Sequence, residues 1–339
     1  MGFAEFYLPR FLLAIPPVFA FLWALRVLDT FRLVKPRRVI HAIGYGCGAA
    51  LLCFLLDSAI FRMSPENADL HAKTAGPVIE EICTALYVFW LVRTARVGFM
   101  VDAAICGFAV GAGFALIENL YYMEVLGSSS LAVWTLRGFG TAIMHGGTTA
   151  IVGIVTARVP ARSGNYQAIR FTAGLALAIG IHIGWNIGLM TPLESSVAVL
   201  VGLPVLFGAI FIRSEQALHR WMGDRLDHDL EMLHIIRTGE YTESRTSEYL
   251  RTLEQAFPPD EWRDMVRILE ISAALSGAAK GNLLRVAAGM PPARDPEAEA
   301  LLREMRVLRK RVGKSAMRAM TPLLTHSSHD LWELNQLRS

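Results

Sequence analysis

The sequence predicts an all-α protein: a polytopic membrane bundle of about seven transmembrane helices over residues 1–213, followed by an α-helical cytoplasmic module over residues 214–339. Three observations carry this reading. Of the 339 residues, 53% are apolar, and the mean hydropathy of +0.38 is too high for an ordinary soluble chain. The apolar surplus lies before about Arg213, in runs near the roughly 20 residues that a spanning helix needs. Beyond that point the sequence is charged, with acids and bases nearly balanced. A net charge of +3 gives no footprint for nucleic acid.

Seven runs qualify as spans: 10–32, 39–61, 76–94, 98–123, 131–157, 168–190 and 195–213. In the first, Pro16-Pro17 predicts a kink, and Arg26, Asp29 and Arg32 predict ends that snorkel to the interface. Without a leading basic region or a small-residue cleavage site, this run reads as a span and not as a signal peptide. The fourth run carries Gly107, Gly111 and Gly113, the fifth Gly138, Gly140, Gly146 and Gly147, and the sixth Gly180 and Gly184. Small residues of this kind let membrane helices approach closely. Cys47, Cys53, Cys83 and Cys106 all sit in apolar runs without metal-site spacing, so they read as small buried hydrophobes.

The charged remainder predicts helices over 214–237, 242–257, 258–289 and 297–320. Pro258-Pro259-Asp260-Glu261 has the proline and acids of a helix start, while Pro291-Pro292 and Asp295-Pro296 mark a break. The cluster Arg309-Lys310-Arg311 reads as a solvated helix face, with anionic lipid as its alternative partner. Nothing in this module names a cytoplasmic partner.

Loop charge sets the orientation. Arg26 to Arg38 follow the first run, Arg93 and Arg96 the third, Arg158, Arg162 and Arg170 the fifth, and Arg213 and Arg220 the seventh. Loops 62–75, 124–130 and 191–194 are mixed or acidic. By the positive-inside rule the N-terminus is extracytoplasmic, the C-terminal module is cytoplasmic, and the protein is multi-pass in the cell membrane.

Against this background the polar residues inside the runs stand out. A charge at bilayer depth costs roughly 2.5–3.5 kcal/mol on insertion scales, which makes Glu80 and Glu81 functional candidates. Counting about 1.5 Å of rise per residue from the outer ends puts Glu80 and Glu81 roughly 8–10 Å deep, Glu118 roughly 6–8 Å, His182 roughly 12 Å and His145 roughly 15–20 Å. All fall in the outer half of the bilayer, with Arg137 above His145. His182 and Asn186 are four residues apart on one helical face, so Asn186 could bind the imidazole or a substrate carbonyl.

Two chemistries use these groups. In the first, Glu80 or Glu81 activates a water as general base, and His182 and Asn186 stabilise the oxyanion of a scissile amide, with Glu118 and His145 completing the site. In the second, Glu81, Glu118, His145 and His182 hold a Zn2+ that makes the water acidic. The chain has no His-Glu-x-x-His and no Gly-x-Ser-x-Gly element, which favours the first chemistry and no cofactor. A non-enzymatic transporter or signalling scaffold, binding an ion or ligand at the same acids, is the alternative from a different class.

The order of these motifs resembles the PrsW family of intramembrane proteases, which is distantly similar to the CAAX-protease and bacteriocin-processing group. The resemblance rests on Glu80-Glu81 after Gly76-Pro77, on Phe114 to Glu118-Asn119 with Tyr121-Tyr122, on Arg137 ahead of His145, and on His182 to Asn186, all within about 76–190. It implies regulated proteolysis of single-pass membrane proteins such as anti-sigma factors, in or near the lipid bilayer. It also implies catalytic roles for Glu80, Glu81, Glu118, His145, His182 and Asn186, with Asn119 and Arg137 in support. One position departs: Thr84 stands where the family usually has a Lys, which makes a pseudoprotease a further alternative.

Overall fold

A computed structural model describes residues 3–29, 32–126, 129–158, 164–239, 243–291, 293 and 296–324. Arg162, Thr242, Pro292 and Asp295 lie outside them, as do the last fifteen positions of the C-terminal module. Among the described residues there is no strand, and seven helices are long and apolar enough to cross a membrane. These are Phe6–Leu28, Pro36–Met63, Ala75–Arg93, Met100–Val125, Leu131–Ala157, Asn165–Asn186 and Pro192–Arg220. The chain is therefore a multi-pass membrane protein.

The first span is two helices, α1 (Phe3–Ala14) and α2 (Pro16–Leu28), broken at Ile15. The break falls where Pro16 and Pro17 can start a helix but cannot continue one. The span begins earlier than the hydropathy suggested, because Arg10 turns its guanidinium back over the Phe6 ring and onto the Phe6 carbonyl. The next elements are α3 (Pro36–Met63), the short rim helix α4 (Ala68–Lys73), α5 (Ala75–Arg93) and α6 (Met100–Val125).

α6 is the axis of the bundle, with Ala103–Ala115 buried throughout. Its glycines explain this. A Cβ on Gly107 would lie 2.6 Å from the Thr149 carbonyl oxygen, and one on Gly111 would strike the His145 carbonyl. On the other side, Cβ atoms on Gly113 and on Gly46 of α3 would strike the Ile43 and Val110 carbonyls. The helix start is closed by Asp102, which accepts the Gly98 N–H at 3.0 Å, and by Ser214, whose hydroxyl accepts the Val101 N–H at 3.2 Å. The Val101 bond satisfies a first-turn donor that has no partner within the helix, and the Gly98 bond accounts for a fully buried acid that hydropathy alone passes over.

The fifth span is not a plain helix. α7 (Leu131–Leu136) passes through a π turn, Arg137–Thr141, into α8 (Ala142–Ala157), and the Ala142 N–H reaches the Arg137 carbonyl. Single π turns inside α-helices concentrate at functional sites. α9 (Gly164–Asn186) follows.

α10 runs unbroken over Pro192–Thr238, whereas the sequence suggested one helix ending near 213 and another beginning there. Pro204 lies within its apolar part. The chain separates into two compact units, Met1–Ser214 and Glu215–Ser339. The second unit adds α11 (Arg245–Ala256), α12 (Pro259–Ala287), α13 (Pro296–Arg311), α14 (Gly313–Ala319) and α15 (Thr321–Leu324). The single helix expected over 297–320 is split at Gly313, whose φ of +79° suits glycine and few other residues.

The second unit has its own core, built around Met265, Ile268, Leu269, Leu302 and Met305. Ile268 is 0% exposed there. Ile268→Ala is expected to cost about 2–5 kcal/mol, read as a lowered thermal unfolding midpoint of this unit in the full chain. An unchanged midpoint would mean the core does not carry the unit.

Candidate active site

Four spans of the first unit bring the acids and imidazoles together. α5 supplies Glu80 and Glu81, α6 supplies Glu118 and Asn119, α8 supplies His145 and Thr148, and α9 supplies His182. The two imidazole rings lie 4.8 Å apart at near right angles, and His145 also packs against Phe114. The rings meet side by side, although a count of helix rise put His145 deeper than His182; that count treats each span as straight and upright in the bilayer.

Glu80 and Glu81 separate because neighbours on a helix point about 100° apart. Glu81 is almost sealed, at 2% exposure. Its Oε1 accepts the Thr148 hydroxyl at 2.8 Å and sits 3.0 Å from His182 Nδ1. With Glu81 Oε1 as the acceptor, His182 carries its proton on Nδ1, and the Nε2 lone pair points away. It points toward Glu80, whose Oε2 lies 3.7 Å from Nε2. Glu118 Oε2 lies 3.2 Å from His145 Nε2 and 3.2 Å from Arg137 Nη2. Neither contact has the alignment of a hydrogen bond, which leaves these buried polar atoms without one.

Arg137 is held from two sides, and one of its holders is itself tethered. Its Nε donates to Asn119 Oδ1 at 2.8 Å, Asn119 Nδ2 donates to the Ala14 carbonyl at 3.0 Å, and the guanidinium stacks 3.9 Å over the Tyr122 ring. The cation therefore serves Glu118 and not the Glu80-Glu81 pair. Thr84 supplies no substitute there, because its hydroxyl is turned back onto the Glu80 and Glu81 carbonyls at 3.0 and 3.2 Å.

Asn186 is placed differently from expectation. Its amide does not meet His182, whose Nδ1 is taken by Glu81, and instead donates to the Ala72 carbonyl of α4 at 3.1 Å. It still lines the site cavity, of about 750 Å³, along with Glu80, Glu118, Arg137, His145 and His182. Glu81 does not line it. Thr148 is a site residue that the sequence reading missed. Its signal was present, three residues after His145 and so on the same face of the helix.

The donor set offers a different ligand set from the expected one, and the expectation of no cofactor finds no support in it. One ligand atom each from Glu80, His145 and His182 lies within 4.8 Å of the other two. These are acceptors converging on one point, an arrangement that a cation stabilises. Glu81, on the far nitrogen of His182, stands where a ligand-orienting carboxylate stands in carboxylate–histidine–metal sites. The residues present thus fit a metal ion, with Glu80 in place of Glu81 and Glu118.

A helical membrane bundle that buries carboxylates and imidazoles around a cavity fits an intramembrane hydrolase. The chain belongs to the PrsW family of intramembrane metalloproteases, whose family model matches residues 35–212. No curated protein and no solved structure matches it. By family it is an intramembrane protease, which favours that reading over the transporter and scaffold alternatives.

Proposed function

We propose that the protein is an endopeptidase that cuts single-pass, membrane-anchored proteins, of which anti-sigma factors are one kind, at a bond in the outer half of the bilayer. The loop charges support an extracytoplasmic N-terminus and a cytoplasmic C-terminal module. The observation that carries the reading is the convergence of Glu80, His145 and His182 on one wall of the cavity, with Glu118 beside them.

In this reading Glu80, His145 and His182 hold Zn2+. When bound, Zn2+ supplies Lewis acidity that makes a water nucleophilic near neutral pH. Glu118 is the general base. It faces the cavity, lies outside the ligand triad, and is oriented by Arg137. It takes the proton of the attacking water and returns it to the leaving amine. Glu81 fixes the His182 tautomer. Asn186 keeps α4 at the rim.

The test is cleavage of a co-expressed single-pass protein by the wild type and by His182→Ala. Product from the wild type alone supports the reading, and equal product from both sinks it. Equal product would also leave Thr84 as the mark of a pseudoprotease. A stoichiometric metal in the purified protein, and loss of activity on chelation, are expected beside it. Glu81→Gln keeps the shape but weakens the orienting acceptor, so metal affinity is expected to fall about 10–100-fold, measured by competition with a chelator. A reporter fused to the C-terminus is expected to read as cytoplasmic.

A further inference from the structure

The cavity lining has two parts of opposite character. One is polar, formed by Asp57 of α3 with Asp69, His71 and Lys73 of α4, where His71 Nε2 pairs with Asp57 at 2.8 Å. The other is apolar. Leu51 and Phe54 of α3, with Leu120, Tyr121 and Val125 of α6, line the cavity yet are 54%, 43%, 41%, 44% and 56% exposed. In a spanning helix such faces are exposed to lipid, so the cavity opens sideways into the bilayer.

The helices show why an opening lies there. α3 and α6 are clamped in their middle parts, where Gly46 and Gly113 let each backbone touch the other. The Cys47 thiol also donates to the Gly113 carbonyl, at 3.3 Å. About two turns further along both helices the side chains become large, and contact passes to the rings of Phe54 and Tyr121, 4.8 Å apart and tilted by 60°. Tyr121 touches Tyr122, which carries the Arg137 guanidinium that orients Glu118.

We propose that the cleft between α3 and α6 admits the transmembrane helix of the substrate laterally from the lipid, and that the Phe54–Tyr121 ring pair is the gate it displaces. The inference rests on the proteolytic reading above. The occupant is set by the site itself. A helix arriving through this cleft keeps its apolar residues against Leu51, Leu120 and Val125, and presents its polar flank to Asp57, Asp69 and Lys73. That places the cut at the end of an apolar segment. Specificity then depends on side-chain bulk at the gate as well as on the residues at the scissile bond.

The test uses the full chain in bilayers. A photo-crosslinking residue is placed at Leu51 or Val125 in the Glu118→Gln background, which is meant to retain substrate. The control position is Trp23 on α2, 69% exposed and outside the cavity lining. Crosslinks to a single-pass substrate at 51 and 125 but not at 23 are expected. Crosslinks at 23 alone, at all three positions equally, or at none would overturn the proposal. As a second measurement, Phe54→Ala and Tyr121→Ala remove an aromatic contact that the gate must break. They are expected to raise kcat/KM for the membrane-embedded substrate about 2–10-fold, and an unchanged or lowered value counts against the gate. Wild-type cleavage of the same substrate tells failure of the gate from failure of the protease reading.

Discussion

Glu118→Gln is expected to abolish cleavage while leaving the metal in place. Glu80→Gln and His182→Ala are expected to lose both. The distinction follows from the site. Glu80 and His182 each contribute one of three atoms that lie within 4.8 Å of one another. Removing one of them leaves two ligands, too few for a catalytic site that normally takes three from the protein. Glu118 is outside that triad, against His145 Nε2 and Arg137 Nη2, each at 3.2 Å. An amide in its place keeps the volume and a carbonyl oxygen to face Arg137, but it cannot take a proton from water. Loss of a general base costs about 10²–10⁴-fold in rate. The measurement is metal content of the purified variants beside the initial rate of product release. A metal-free Glu118→Gln protein, or one with near wild-type activity, would make Glu118 a ligand or a bystander and move the base to Glu80.

This division of labour was only partly legible in the sequence. The spans were, because each is a run of about twenty apolar residues and hydropathy reads that directly. The polar residues within them were legible for the same reason, since each carries a cost that packing alone does not explain. Which of Glu80 and Glu81 faces the cavity was not, because both lie on one helix and the choice depends on where α8 and α9 pack. Thr148, the tethering of Asn186 to α4, and the pairing of Arg137 with Glu118 all arise from contacts between distant segments. The π turn at Arg137–Thr141 is a local distortion, and no spacing rule flagged it. In the second unit, the break at Gly313 could have been read from the glycine itself, since a positive φ is what glycine supplies.

The tight approach of α6 to α8 sets the geometry of the site, and Gly111→Ala is the substitution that tests it. A Cβ there would run into the His145 carbonyl and close on Gly146 Cα. These are backbone atoms, so no side chain can swing aside. α8 must move, and His145 moves with it, out of its register with Glu80 and His182. The cost in stability is expected to be about 1–3 kcal/mol, the usual range for overpacking. The larger effect falls on chemistry, where a displacement of about 1 Å at a catalytic group can cost about 10²-fold in rate. Gly180→Ala on α9 is the matched control. It adds the same methyl where nothing lies within 4 Å, and replacing glycine inside a helix is expected to stabilise by about 0.5–1 kcal/mol. Cleavage rate and unfolding midpoint of the two variants, measured together, separate close packing from a general intolerance of methyl groups. If Gly111→Ala cleaves at the wild-type rate, the contact between α6 and α8 does not hold His145 in register, and the alignment of the triad must come from α9 and the Glu81–His182 bond alone.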